Sequence, residues 1–276
     1  MNARALVERL HPSAPIREVG SGANRVFRVS EGEADTYVIK VYPVAARADR
    51  EQRTLDALAE VQGVPQVLGS GADDDGAWLR LTDGGRWSLA SLPKSPETLE
   101  AAGRVLRDVH SCTAKITDLT VGIDAAYVLS HYNSTVKRLA PFRRRFGLEQ
   151  DVLDRALDLE PPVATTPAPA HTRPTPAKFT VSDDGDVTLV DWEWATLGPP
   201  EWDLTLAVWR LAGRLGEDAA AAFRRGYAAE FPESGYRSWV AYHAVSMMLD
   251  AAQVREGRLG DLSYLADDLT EAVLGS

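Results

Sequence analysis

The chain has 276 residues, of which 45% are hydrophobic and 25% are charged, a composition typical of a soluble globular protein with a substantial core. Its net charge of -10 argues against general binding to nucleic acid or to an anionic membrane surface. The single cysteine, Cys112, excludes an internal disulfide, and no run of about 18 apolar residues is present to span a membrane. The first residues also lack a long apolar stretch, so we expect a cytoplasmic protein.

The first third of the chain is predicted to be mainly β-structure. A strand, a glycine turn and a second strand are predicted over REVGSGANRVFRVSEG (17–32), and TYVIKVYP (36–43) is a strand that a proline ends. The segment AARADREQRTLDALAEVQG (45–63) is predicted to be a helix ending at glycine. Two further strands flank an Asp/Gly turn in residues 65–84. This region is therefore predicted to be a twisted sheet with one helix.

The rest of the chain is predicted to be mainly helical. Ser95, Pro96 and Glu97 have the pattern of a helix start. More helix is expected over 124–160, and again from Glu201 to the end. Between these segments, repeated prolines exclude helix, and FTVSDDGDVTLVDWEW (179–194) is predicted to be a hairpin with an Asp/Gly turn. A sheet lobe followed by a helical lobe is an α+β arrangement, in which a ligand usually binds between the lobes.

Lys40 is unusual because it lies in the middle of an apolar strand. Strand alternation places it on one face with Val38 and Tyr42. On the following helix, Glu51 shares the apolar stripe with Leu55 and Leu58. A buried Lys40–Glu51 ion pair follows if both faces pack together. From these two residues alone, two solvated side chains are equally compatible with the pattern.

The order of glycine turn, strand lysine and helix glutamate resembles that of the protein-kinase-like fold, and the chain as a whole resembles the aminoglycoside phosphotransferase and choline kinase family. The segments that carry the resemblance are GSGANRVFRV (20–29), REQRTLDAL (50–58), VLRDVHS (105–111) and VTLVDWEWATLGPPEWDL (187–204). The resemblance implies a nucleotide-binding lobe over 1–85 and a helical lobe over 86–276, with the catalytic loop within 170–194. It implies ATP as cofactor, bound by Gly20, Ser21, Gly22, Asn24, Lys40 and Glu51.

The same resemblance implies a Mg²⁺ ligand and a structural aspartate. Asp191 aligns with the family's metal-binding aspartate, and Asp203 with the aspartate that typically supports the catalytic loop. Glu193 lies two residues beyond Asp191 in an extended segment, so it points to the same side and is a candidate second metal ligand.

The loop itself departs from the family pattern H-G-D-x-H-P-x-N. His171 keeps its place, Thr172 replaces the glycine, Arg173 stands at the catalytic aspartate position and Lys178 at the metal-binding asparagine position. Arginine stays protonated and cannot accept a proton from a substrate hydroxyl. Lysine offers no acceptor to Mg²⁺, and its ammonium can instead pair with Asp191 or with a phosphate. His171, Arg173 and Lys178 are therefore the candidate residues of an altered catalytic site.

Two functions remain open. The first is a pseudokinase that has lost ordinary phosphoryl transfer and acts by binding a nucleotide, a ligand or a partner protein. The second is a non-standard phosphotransferase, or other group transferase, that acts on a small-molecule or peptide hydroxyl. The resemblance suggests a natural-product or modified-peptide pathway for the second. An ordinary antibiotic phosphotransferase is disfavoured because the aspartate it needs is absent. Whether the protein is an enzyme at all is left undecided by the sequence.

Overall fold

The computed structural model of the chain describes residues 2–32, 35–91, 95–112, 119, 122–159, 166–228, 233–253 and 263–274. Within them a sheet lobe precedes a helical lobe, so the predicted α+β, two-lobed class is confirmed. The helices are α1 (Ala3–Leu10), α2 (Ala45–Ala57), α3 (Pro96–Ser111), α4 (Ala125–Leu139), α5 (Gln150–Asp158), α6 (Pro200–Leu215), α7 (Glu217–Tyr227), α8 (Glu233–Gln253) and α9 (Ser263–Leu274). The strands are β1 (Ile16–Ser21), β2 (Arg25–Glu31), β3 (Asp35–Tyr42), β4 (Val67–Asp73), β5 (Gly76–Thr82), β6 (Trp87–Ser88), β7 (Ala168–Ala170), β8 (Phe179–Val181), β9 (Val187–Leu189) and β10 (Thr196–Gly198).

The first lobe is an antiparallel sheet with the strand order β1-β2-β3-β5-β4. The central strand β3 alternates as predicted: Ile39 and Val41 pack with α1 on one face, while Tyr42 packs on the other with Leu55 of α2 and with Leu58, which caps that helix. Lys40 therefore lies in a central strand, on the face that α2 covers. Helix α1 is an addition, because the sequence patterns predicted only α2 in this lobe.

Helices α3 and α7 approach each other very closely in the second lobe. A Cβ built on Gly103 would lie 2.1 Å from the carbonyl oxygen of Phe223, and one on Gly226 would lie 1.9 Å from that of Glu100. Only glycine allows backbones to pack this tightly. The N-terminus of α3 is capped as predicted, since the Ser95 hydroxyl accepts the backbone N–H of Thr98 at 3.2 Å.

Short strands hold the predicted catalytic loop between the lobes. Strand β7 ends immediately before His171 and pairs with β10, which begins just after Trp194, so both ends of the loop region lie side by side. The hairpin β8–β9 lies within this region, and β6 pairs with β8 where the chain passes from the first lobe to the second. In the ranges that the structure describes, no helix has the length and apolar character needed to cross a bilayer.

Candidate active site between the lobes

The predicted ion pair between Lys40 and Glu51 is formed. The Lys40 Nζ donates to Glu51 Oε2 at 2.7 Å, and both side chains are buried. Glu51 also accepts the Tyr42 hydroxyl at 2.8 Å and the Trp192 backbone N–H at 3.2 Å. These donors satisfy the oxygens of a carboxylate that would otherwise be costly to bury. Burial nevertheless raises the pKa of Glu51 more than the neighbouring Lys40 lowers it.

Asp191 is held between two lysines. One oxygen of its carboxylate, Oδ1, accepts the ammonium of Lys40, and the other, Oδ2, accepts the ammonium of Lys178. Burial acts to raise the pKa of Asp191, but the two lysines outweigh it and hold the pKa well below its usual value. Burial likewise acts to lower the pKa of Lys40, and Glu51 and Asp191 together hold it above its usual value. Of the two partners considered for Lys178, Asp191 is the one that it contacts in the structure, and Asp191 is ionised at neutral pH.

Glu193 contacts two residues of the first lobe, Asn24 beside the glycine turn and Arg47 of α2. Its Oε2 accepts the side-chain amide N–H of Asn24 at 2.7 Å and lies 3.6 Å from Arg47 Nη1. Asn24 and Glu193 are both buried. The amide oxygen of Asn24 is also buried and has no hydrogen-bond partner among the described residues.

These carboxylates do not offer a suitable Mg²⁺ site. Both oxygens of Asp191 already accept ammonium groups, and Oε2 of Glu193 accepts the side-chain amide of Asn24. In the part of the chain that the structure describes, no group of three or more His, Cys, Asp and Glu side chains is arranged to hold a metal ion. Mg²⁺ prefers an octahedral set of oxygen ligands, and the positive charge of Lys178 at this position opposes it. The donor set therefore does not fit the ion.

The catalytic loop keeps an ordered backbone despite its altered residues. The carboxylate of Asp203 accepts the backbone N–H groups of His171 at 2.6 Å and Thr172 at 2.8 Å, which places Asp203 where the resemblance expects it. Thr172 has a φ of 71°, a left-handed conformation that is strained for a β-branched residue. Its carbonyl accepts the indole N–H of Trp202 at 3.0 Å. The loop thus retains, at Thr172, a backbone shape that suits the glycine of the family pattern.

His171 lies beneath the loop and not in the open cleft. It is almost completely buried, and burial lowers its pKa, so the ring is neutral at physiological pH. Its Nε2–H donates to the Val190 carbonyl at 2.9 Å, and its Nδ1 accepts the Arg173 backbone N–H at 3.3 Å. These bonds make His171 a support for the loop. A ring nitrogen used in this way is not available as a proton acceptor for a ligand.

Arg173 points across the cleft toward Trp194. Its guanidinium carbon lies 5.1 Å from the centroid of the Trp194 ring, and that of Arg47 lies 4.5 Å from the same ring. Arg47 was not among the predicted site residues. The signal that would have found it is its position four residues before Glu51 on α2, which places both on one side of the helix. Trp194, in the DWEW segment, was likewise not among the predicted site residues.

The predicted residues come together around one cleft of about 1050 Å³. The members of the predicted set that line it are Gly20, Gly22, Asn24, Lys40, Glu51, Arg173, Lys178, Asp191 and Glu193. Ser21 is the last residue of β1, between two of these. A second, smaller cavity of about 450 Å³ adjoins the first, because Arg173 and Trp194 line both. The arrangement thus has a larger space beside the glycine turn and a smaller one toward the helical lobe.

A comparison with known protein families agrees with the order and geometry of these elements. Residues 15–242 match the model of the phosphotransferase enzyme family, APH. The chain belongs to this family. The family resemblance deduced from the sequence is therefore confirmed. No curated protein matches this phosphotransferase-family chain.

Solved structures share the fold at low sequence identity. The GDP complex of a mutant aminoglycoside 2'-phosphotransferase-IIIa has a TM-score of 0.72 and 16% identity, covering 99% of this chain and 96% of that one. A thermostable mutant of aminoglycoside phosphotransferase APH(4)-Ia, in a ternary complex with ADP and hygromycin B, has a TM-score of 0.66 and 14% identity, covering 100% and 98%. The macrolide 2'-phosphotransferase MphH from Brachybacterium faecium has a TM-score of 0.63 and 18% identity, covering 99% and 98%. Similarity at these identities establishes the protein-kinase-like fold alone.

Proposed function

We propose that this phosphotransferase-family protein is a pseudokinase that binds a nucleotide in the cleft between its lobes and has lost ordinary, Mg²⁺-assisted phosphoryl transfer. The observation that carries the proposal is the occupation of both Asp191 oxygens by the ammonium groups of Lys40 and Lys178. An ammonium from the chain itself takes the place at which a metal ion would neutralise phosphate charge. The loss of ordinary transfer follows from the loss of that metal position.

Among the described residues that line it, the cleft also lacks a free general base. Arg173 cannot accept a proton at any physiological pH. Each carboxylate among the described residues that line the cleft already has a cationic or amide partner. The pairs are Glu18 with Arg25, Glu51 with Lys40, Asp83 with Arg28, Asp191 with both lysines, and Glu193 with Asn24. A hydroxyl placed in this cleft would therefore meet donors and no unpaired acceptor suited to remove its proton.

Nucleotide binding is supported by the groups that remain. Lys40 and Lys178 supply positive charge beside the glycine turn, and backbone N–H groups in such a turn can bind phosphate oxygens. Asn24 lines the cleft, and its buried amide oxygen has no hydrogen-bond partner within the part of the chain described, so a ligand that displaces its neighbours could bond to it. Relatives of the same fold have been solved with GDP and with ADP. ATP is accordingly the nucleotide that we would test first.

The test is a thermal-shift and calorimetric titration with ATP, with and without excess Mg²⁺. Ligand at 100 times its Kd stabilises a folded protein by about 2.7 kcal/mol, which is readily measured. We expect stabilisation by ATP that does not depend on Mg²⁺. Strong dependence on Mg²⁺ would contradict the displaced-metal argument, and no stabilisation at millimolar ATP would contradict nucleotide binding.

Two separate glycine substitutions test where ATP binds. Gly22 lines the cleft and nothing lies within 4 Å of a Cβ built on it, so Gly22→Leu adds bulk without an internal clash. The matched control is Gly213→Leu in α6, where the Cβ position is equally open. We expect weaker ATP binding for Gly22→Leu and unchanged binding for Gly213→Leu. Equal affinities in the two variants would place the nucleotide elsewhere.

A second candidate function rests on the position of Arg173. Because it lines both cavities, its guanidinium lies where a group moving from one ligand to the other would pass, and positive charge there can stabilise an anionic transition state. This favours a non-standard group transferase acting on a small-molecule or peptide hydroxyl, with the proton accepted by a group outside the chain. Transfer of label from γ-labelled ATP to a co-purified or supplied acceptor would establish it. Aminoglycoside-dependent ATP consumption would instead indicate an ordinary antibiotic phosphotransferase.

A further inference from the structure

The smaller cavity has a distinct chemical character. Its volume of about 450 Å³ falls within the range of small-molecule sites. Three arginines line it, and so do three aromatic side chains, Tyr127, Trp194 and Trp202. Arg50 and Arg53 come from α2, and Arg173 comes from the catalytic loop. Among the described residues that line this cavity there is no aspartate or glutamate.

Among the residues that the structure describes, no carboxylate forms an ion pair with these arginines. Within the described ranges, none of the three guanidinium groups forms an ion pair, and that of Arg53 donates only to the Asp49 backbone carbonyl, at 3.3 Å. By contrast, Arg47, which lies over the Trp194 ring, has its Nη1 3.6 Å from Glu193 Oε2. The protein as a whole carries a net charge of -10, so a cluster of arginines without ion-pair partners among the described residues is a local exception to its surface.

We propose that this cavity binds a small ligand that has a carboxylate or phosphate group attached to a planar, apolar ring. Guanidinium groups bind such anions through paired hydrogen bonds, and the aromatic walls provide faces against which a ring can stack. A polycationic ligand would be repelled by the same three side chains. The inference builds on the proposed function, because it names the second ligand that lies beside the nucleotide cleft.

The probes are chosen to separate charge from ring stacking. We would compare phenyl phosphate, benzyl alcohol, inorganic phosphate and kanamycin by calorimetry, with tryptophan fluorescence as a second readout. Because charge and ring stacking act together, we expect phenyl phosphate to bind at least about tenfold more tightly than benzyl alcohol and than inorganic phosphate. We expect kanamycin to bind weakest, because its positive charges are repelled by the arginines. Kanamycin binding as tight as that of phenyl phosphate would overturn the proposal, and so would equal affinities for phenyl phosphate and benzyl alcohol.

The variants Arg50→Gln and Arg53→Gln test whether phenyl phosphate binds in this cavity. Both side chains are exposed and line the smaller cavity but not the nucleotide cleft, so neither change should disturb folding or ATP affinity. We expect each to weaken phenyl phosphate about three- to tenfold, the range for a partly solvated charge-assisted contact. Arg144→Gln, an exposed arginine that lines neither cavity, is the matched control and should change nothing. Unchanged phenyl phosphate affinity in both cavity variants would overturn the assignment.

ATP titrations of the same proteins keep the two proposals separate. If ATP fails to bind while phenyl phosphate binds in an Arg50- and Arg53-dependent way, the nucleotide proposal fails and the anion site stands. If ATP binds and phenyl phosphate shows no preference over benzyl alcohol, the reverse holds.

Discussion

Replacing Lys178 by asparagine should convert the nucleotide cleft from metal-independent to metal-assisted binding. In the structure the Lys178 ammonium contacts Asp191 Oδ2, and the two side chains are 33% and 24% exposed. Lys178→Asn removes that charge and supplies an amide oxygen, which is a Mg²⁺ ligand. Asp191 then has one oxygen that is free for the ion, while Lys40 stays on the other.

The expected magnitude follows from the partial exposure of the pair. Exposed ion pairs contribute about 0–1 kcal/mol, and breaking a fully buried pair costs about 3–5 kcal/mol. With about a quarter to a third of each side chain in contact with solvent, we expect Mg²⁺ to displace Lys178 at a cost of about 1.5–2 kcal/mol. Removal of the lysine should therefore favour metal binding by about ten- to thirtyfold, since about 1.4 kcal/mol corresponds to a factor of ten.

The assay compares the Kd of ATP in excess EDTA with that in excess Mg²⁺. We expect the ratio of these constants to be close to one in the natural protein and to rise by about ten- to thirtyfold in Lys178→Asn. Lys137→Asn, which removes an exposed lysine on α4, controls for the change in net charge. The double variant Arg173→Asp/Lys178→Asn should show the same metal dependence. A ratio that is identical in the natural protein and in Lys178→Asn would refute the reasoning.

Two further predictions concern packing and pH. Gly226→Ala should destabilise the protein by several kcal/mol, because its Cβ would lie 1.9 Å from the Glu100 carbonyl oxygen, whereas Gly213→Ala, with nothing within 4 Å, should stabilise it by about 0.5–1 kcal/mol. Urea unfolding of both variants checks this, and similar stabilities would contradict the close approach of α3 and α7. Burial lowers the pKa of His243, whose Nε2 contacts the Trp202 carbonyl at 3.0 Å, to about 4. The unfolded chain then binds more protons than the folded one between pH 6.5 and about 4, so stability should fall by about 3 kcal/mol as the pH is lowered through that window. His243→Gln should remove this part of the pH dependence, and an unchanged profile would contradict it.

Two simple periodicities made the lysine–glutamate pair one of two open alternatives, and the structure shows that the pair forms. Strand alternation places Lys40 on the α2 side of β3, and helical spacing places Glu51 in line with Leu55 and Leu58. Each pattern uses residues adjacent in the chain. The contact of Lys178 with Asp191 was predictable for a related reason, since a lysine at the asparagine position of the motif has a carboxylate as its nearest expected partner.

Contacts between segments that are distant in the chain were not predictable in this way. Asn24 and Glu193 are 169 residues apart, and their hydrogen bond depends on how the first lobe lies over the second. The three arginines of the smaller cavity come from α2 and from the catalytic loop, and no periodic signal joins these segments. Glu193 was predicted as a metal ligand because it lies two residues after Asp191. Its contacts with Asn24 and Arg47 come from distant parts of the chain, so the sequence pattern did not show them.

The two substitutions in the catalytic loop have a common electrostatic consequence. Arg173 and Lys178 are cationic donors at positions where the family resemblance expects an aspartate and an asparagine, while Asp203 holds the loop backbone through His171 and Thr172. A loop that had merely lost its function would be expected to lose this ordered backbone or to acquire neutral residues. Retained geometry with added positive charge instead suits the binding of anions on both sides of the loop. A phosphate chain would contact Lys178 on one side, and a second anionic ligand would contact Arg173 on the other.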